Sequence, residues 1–150
     1  MNKIKNVLIT GGLGGIGFEI CKYFVSRNYN IIIVDNLSID TYNKILSKDL
    51  NKTFNSKILY KKIDLTKPIL IKKFFQLLKK KFFHIDILIN CAGIQHLSSI
   101  ENFSEKIWEK ILSINLSSCF YTCKYTIPLM KKNNWGRIIN ICSVHGQVAS

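Results

Sequence analysis

Acidic residues are scarce in this chain. Asp and Glu number 9 against 22 Lys and Arg, which leaves a formal net charge of +13 over 150 residues. An excess of that size raises nucleic acid as a partner. The lysines, however, are spread along the whole length. The densest runs, Lys72-Lys73 and Lys79-Lys80-Lys81, fall on the outer side of one expected helix. A solvated surface is the better reading, and no nucleic-acid partner is expected. Long apolar runs are also missing. No segment approaches the ~20 residues of a membrane span, and the first apolar run is too short for a signal peptide. A soluble, cytoplasmic protein without a membrane partner is expected. The cysteines make no framework: Cys21, Cys91, Cys119, Cys123 and Cys142 are an odd set. Cys119 and Cys123 share a helix face, but no His or second Cys pair completes a metal site. Buried free thiols are expected, with no metal.

What the chain has is a glycine turn between two apolar segments. Residues 10–17 read T-G-G-L-G-G-I-G. The strand formers of residues 6–10 precede them, and apolar residues at helical spacing over 18–25 follow. A helix that starts at such a turn points unpaired N–H groups and its positive dipole end outward. That end attracts phosphate, and residues without a Cβ let a pyrophosphate approach the backbone. A dinucleotide-binding turn is expected.

The rest repeats strand and helix. Strands are expected over residues 30–35, 57–61, 85–90 and 137–142. A weak helix is expected over 41–50. A second helix is capped by Thr66, tolerates Pro68 in its first turn, and carries Ile69, Phe74, Phe75, Leu77 and Leu78. A long helix follows Ser104, with Trp108, Ile111, Leu112, Leu116, Cys119 and Phe120 as its buried stripe. No repeat, low-complexity tract or linker divides the chain, so residues 1–150 read as one domain or part of a larger one. The fold class is α/β: a Rossmann-type, doubly wound parallel sheet with right-handed crossovers. Its ligand site lies at the carboxyl ends of the strands. Thr10, Asp35, Asp64, Asn90 and Ser143 all fall at or just past those ends.

Asp35 stands at the distance where an acid meets the adenosine ribose; it accepts hydroxyls and repels a 2′-phosphate, with no nearby cation to offset that. Its other reading is a strand-end acid that starts a turn. Asp64 either bonds an adenine amino group or serves turn chemistry. Asn90, Cys91, Ala92 and Gly93 either let the adenosine half pack against backbone or make a tight β-α turn. Asn115 interrupts an apolar helix face, and a buried amide must be bonded. It secures a helix irregularity or holds a water near the chemistry. Ser143 binds a substrate carbonyl or starts a turn.

Together these residues resemble the short-chain dehydrogenase/reductase family. Its T-G-x-x-x-G-x-G pattern is matched by Thr10, Gly11, Gly15 and Gly17, and its N-N-A-G by residues 90–93, with Cys91 a departure. The resemblance implies an NAD cofactor held by Thr10, Gly11, Gly15, Ile16, Gly17, Asp35, Asp64, Leu65, Asn90, Ala92 and Gly93. It implies Ser143 and Asn115 as catalytic residues. The segments 92–96, 135–141 and 143–150 are similar to bacterial D-3-hydroxybutyrate dehydrogenases. That likeness implies interconversion of D-3-hydroxybutyrate and acetoacetate, with Gln95, Ser143 and His145 at the substrate. It also implies a homotetramer. The alternatives are another small alcohol or carbonyl substrate in the same family, or a non-catalytic nucleotide- or RNA-binding remnant.

The family's Tyr general acid/base and its Lys would follow Ser143 by more residues than this sequence contains. Tyr121 and Tyr125 precede the serine and do not replace them. The chain is therefore expected to be the N-terminal part of an enzyme, cut before the Tyr/Lys segment and inactive alone.

Overall fold

A computed structural model describes residues 4–49, 57–81 and 84–144. His145 and residues 146–150 lie outside that range. Asn6–Thr10 (β1) and Asn30–Asp35 (β2) are continuous apolar runs, and they are buried from both sides. Ile58–Lys62 (β3), Ile87–Asn90 (β4) and Arg137–Asn140 (β5) complete a five-stranded sheet in the order β3-β2-β1-β4-β5. Every pairing is parallel. The order reverses between β1 and β4, and a crevice opens at such a switch point.

The pleat sends alternate residues to opposite cores. Leu8, Ile32, Val34 and Leu88 face the helices Pro68–Lys81 (α3) and Ser118–Lys131 (α5), meeting Ile71, Phe74, Phe75, Leu78 and Leu129. Val7, Ile9, Ile31 and Ile33 face the side of Gly15–Val25 (α1) and Ile39–Asp49 (α2), meeting Cys21, Val25 and Tyr60. The expected α/β architecture is present, with ends shifted by a few residues. Ile85 and Asp86 lead into β4 as buried residues outside the strand, and β5 stops two residues short of Cys142.

Several side chains differ from expectation. Thr66 does not cap α3; its hydroxyl donates to Asp64 Oδ1 at 2.6 Å. The buried stripe of α3 runs at i, i+3, i+4 and i+7 from Ile71, so Ile69 and Leu77 point out and are more than half exposed. Only Cys21 of the cysteines is fully buried; Cys91, Cys119 and Cys123 are half-buried and Cys142 is exposed. The long helix differs most. It consists of Glu105–Ile111 (α4), a π-helical stretch Leu112–Ser117, and α5. The expected stripe faces outward: Trp108, Leu116 and Phe120 are 53–66% exposed. The buried face is Ile114 followed by the small residues Ser118, Thr122 and Thr126, each four apart. The Ser118 and Thr122 hydroxyls tolerate burial because Ser118 donates to the Ile114 carbonyl and Thr122 to the Ser118 carbonyl and to Asn90 Oδ1; the Thr126 hydroxyl is buried without a partner among the described residues.

At the amino ends of the strands, Asp86 Oδ2 accepts the Asn6 N–H at 2.7 Å and lies 3.3 Å from His84 Nε2, all three residues being buried. Asp86→Ala strands the Asn6 N–H and is expected to cost ~1–3 kcal/mol of stability. Urea unfolding checks this. A loss within error of zero means that the carboxylate does not anchor β1.

Candidate functional site

The crevice at the carboxyl ends of the strands is a cleft of about 310 Å³. It is lined by the glycine turn (Gly11, Gly14), the β2 end (Asp35, Asn36, Leu37), Ile63–Leu65 after β3, Cys91–Ile94 after β4, and Ile114. That volume is at the low end of the range for small-molecule sites, ~300–1,000 Å³.

The glycine turn is fixed from below. Thr10 is buried at the end of β1, and its Oγ1 accepts the N–H groups of Cys91 at 3.1 Å and Ala92 at 3.2 Å. Gly11 has φ +66°, and a Cβ there would sit 2.7 Å from Ala92 Cα. A Cβ on Gly17 would collide with the Gly11 carbonyl oxygen. These two glycines are required by the fold itself. Gly15 is different: a Cβ there meets nothing within 4 Å. Helix α1 begins at this residue behind Gly14, which has no side chain to cap the first turn. The open space at the positive helix end fits the close approach of an anionic group.

Asp35 is 9% exposed. Its Oδ2 accepts Leu13 N–H at 3.0 Å; its Oδ1 accepts Asn36 N–H at 2.8 Å and Leu37 N–H at 3.3 Å. It therefore joins the glycine turn to the β2–α2 turn and still faces the cleft. Asp64 Oδ1 accepts the Thr66 N–H and hydroxyl. The hydroxyl bond is the main reason its carboxyl is held below the ordinary range, helped by the Thr66 N–H and by Lys67, against partial burial. Its turn chemistry is present, and Asp64 lines the cleft as well. Burial pushes the Cys91 thiol upward, so it stays protonated.

Asn90 does not line the cleft. Its Nδ2 donates to Asn140 Oδ1 at 2.8 Å and its Oδ1 accepts from Thr122 at 2.7 Å, tying β4 to β5 and α5. Thr10 likewise acts from beneath. Gly15 and Ile16 lie on the α1 side beside Ile139 and Ile141, outside the cleft lining. Asn115 sits inside the π-helical stretch. Its Oδ1 accepts Ile94 N–H and its Nδ2 donates to Ile94 O, each at 2.9 Å. The amide thus secures a helix irregularity and pins the loop after Gly93. Gln95 follows on that loop and is exposed, as is Ser143 beyond β5. Among the described residues no group of three or more His, Cys, Asp or Glu could hold a metal ion, and no helix is long and apolar enough to cross a membrane.

Sequence reasoning missed part of the lining: Asn36, Leu37, Ile63, Ile94 and Ile114. It found the acids and glycines but not the Leu13–Asp35 or Asn115–Ile94 bonds, which join residues 22 and 21 apart. The amide on a helix face was the available signal for the second.

Residues 5–150 match the family model described as short chain dehydrogenase. The chain is 36% identical over 146 residues to the D-beta-hydroxybutyrate dehydrogenase of Rhizobium meliloti (strain 1021), covering 97% of this chain and 56% of that protein. It is likewise 36% identical to the protein of that name from Cupriavidus necator, covering 97% and 55%. Thus it spans about half the length of the curated relatives it matches. A gluconate 5-dehydrogenase from Burkholderia cenocepacia, solved with NADP and tartrate, superposes with a TM-score of 0.84 at 25% identity, covering 97% of this chain and 56% of that one. By its strand order, its glycine turn and its match to the family model, the chain belongs to the short-chain dehydrogenase family of oxidoreductases.

Proposed function

We propose that this chain is the NAD-binding, N-terminal part of a dehydrogenase that interconverts D-3-hydroxybutyrate and acetoacetate. The observation that carries the cofactor half is the fixed Asp35 carboxylate, bonded to the glycine turn at Leu13 and lining the same cleft as Gly14 at the uncapped start of α1. The substrate half rests on the two relatives of that name and on Gln95, Ser143 and His145 in the matching segments.

In this reading the helix start and Gly15 receive the pyrophosphate, and Asp35 accepts a ribose hydroxyl. Asp64, Leu65, Ala92 and Gly93 wall the adenosine side, while Thr10, Gly17 and Asn90 hold that wall in place. A bound nicotinamide dinucleotide supplies the hydride acceptor for the alcohol and the donor for the ketone. Ser143 holds the reacting oxygen, and Gln95 and His145 donate to the substrate carboxylate. Asn115 keeps the Gln95 loop in register and orders a water for proton relay. The Tyr and Lys with which the family completes the relay have no match among residues 1–150. The complete protein is then a soluble cytoplasmic homotetramer, and the outward Trp108, Leu116 and Phe120 serve subunit contacts.

Three outcomes test this. First, the protein binds NAD in preference to NADP, because a 2′-phosphate beside a carboxylate costs on the order of a kcal/mol or more. Asp35→Asn keeps an acceptor oxygen for the turn, weakens NAD and relaxes the preference. Equal affinity of the unmodified protein for the two cofactors, by fluorescence titration, would sink the assignment. Second, in an enzyme completed with the Tyr/Lys segment, Gln95→Ala raises the 3-hydroxybutyrate KM by the equivalent of ~1.5–3 kcal/mol and leaves NADH affinity alone. Equally fast turnover of uncharged alcohols of similar size removes the carboxylate pocket. Third, residues 1–150 alone show no turnover, since loss of a positioned general acid costs ~10²–10⁴ in rate before the rest of the pocket is considered. Clear activity of that chain in a 3-hydroxybutyrate oxidation assay requires another proton donor.

A further inference from the structure

The β2–α2 turn walls the acid end of the cleft, and it is held by a residue outside the cleft. Tyr60 lies on β3, 8% exposed, and its hydroxyl donates to the Leu37 carbonyl at 2.6 Å. Its ring stacks on Tyr42 of α2, with centroids 4.4 Å apart and planes 13° from parallel. Burial, and then the Asp35 charge and Tyr42, push the phenol up to about 12, so it remains a donor at any working pH. The other bond at Leu37 is its N–H to Asp35 Oδ1, which is long at 3.3 Å. The short phenol bond is therefore the stronger restraint on this turn.

The restraint matters because of how Asp35 is used. A carboxylate offers about four acceptor sites. Three are taken by the N–H groups of Leu13, Asn36 and Leu37. One remains, enough for a single ribose hydroxyl. A 2′-phosphate could be admitted only if the carboxylate swung away, and that requires Asn36 and Leu37 to move with it. The Tyr60 bond opposes that movement.

We propose that Tyr60 is a specificity-determining positioning residue: by anchoring the Leu37 carbonyl it keeps the Asp35 carboxylate against the 2′ position of an adenosine ribose. The inference rests on the proposed dinucleotide reading of the cleft. Tyr60 itself does not line the cleft.

The test is calorimetric binding of 5′-AMP and 2′,5′-ADP to the chain. The unmodified protein favours 5′-AMP. Tyr60→Phe keeps the ring and the stack but removes the bond. It should narrow the preference about three- to tenfold, the equivalent of one hydrogen bond, with 5′-AMP affinity nearly unchanged. In an Asp35→Asn background the same substitution should leave the ratio where it is, which a general loss of stability would not do. Tyr42→Leu is the second variant: it frees the phenol by removing the stacked ring, and it should shift the ratio the same way by less. An unchanged ratio in folded Tyr60→Phe overturns the proposal. So does an unchanged ratio in Tyr42→Leu where Tyr60→Phe does not fold, or an undiminished shift without the Asp35 charge. If the unmodified chain binds neither nucleotide at millimolar concentration, the dinucleotide reading falls and this inference falls with it.

Discussion

A parallel sheet runs out of backbone partners where its strands end, and the N–H groups just past that edge must be satisfied or solvated. In this molecule side chains at the edge do so. Thr10 accepts two N–H groups from the β4 side, and Asp35 accepts three from the turns beside it. Both residues are nearly buried, so the bonds form where water competes little. Everything in the cleft follows from them. The glycine turn can lie close against Ala92 only because Thr10 holds that backbone there, and the approach leaves no room for a Cβ on Gly11. The start of α1 lies behind Gly14, which lines the cleft, and no side chain is spent on capping it. A single charged group, Asp35, then connects the two turns that bracket the site.

Those bonds divide the residues of the site into two kinds. Thr10, Gly11, Gly17 and Asn90 are constrained from within the protein, since each would create a clash or an unpaired buried group if changed. Gly15 has no such internal constraint. Under the proposed reading, a glycine that the fold does not demand, at the uncapped end of a helix, leaves room for the pyrophosphate. The same contrast separates the oxygens of Asp35, whose acceptor sites are mostly committed, from the one site that is not.

The strands were legible because their environment is uniform. Residues 6–10 and 30–35 are covered on both faces, so unbroken apolar composition sufficed, and the places of Asp35 at the end of β2 and of the glycine turn before α1 were readable from spacing. The long helix was not legible, for a reason of geometry. An apolar stripe at α-helical spacing predicts a buried face only if the helix keeps one phase and has one partner. Here the π-helical stretch at Leu112–Ser117 changes the phase. The face against the sheet carries Ser118, Thr122 and Thr126, and the first two bond their hydroxyls to nearby carbonyls or to Asn90, while the buried Thr126 hydroxyl has no partner among the described residues. Polar residues were inside and large apolar ones outside, so hydropathy pointed the wrong way. Asn115 was the sign of trouble: its amide is paired with the Ile94 backbone rather than packed in a stripe.

The two sides of the sheet also differ in completeness. On β1 and β2, Val7, Leu8, Ile9 and residues 31–34 are no more than 2% exposed. On the β5 side, Ile138, Ile139 and Ile141 are 36–44% exposed, and among the described residues β5 is an edge strand, an arrangement that invites pairing with another strand. The bonds that shape the cleft lie on the first side and in the α4–α5 helix, between residues all present in the described chain. The Ser143 position follows the second. Under the proposed reading, nucleotide selection and chemistry therefore draw on different parts of the molecule. Selection depends on restraints already closed among β1, β2, β3 and β4. Turnover at Ser143 depends on whatever covers β5, because a substrate pocket on an uncovered edge can neither exclude water nor hold a proton donor in place.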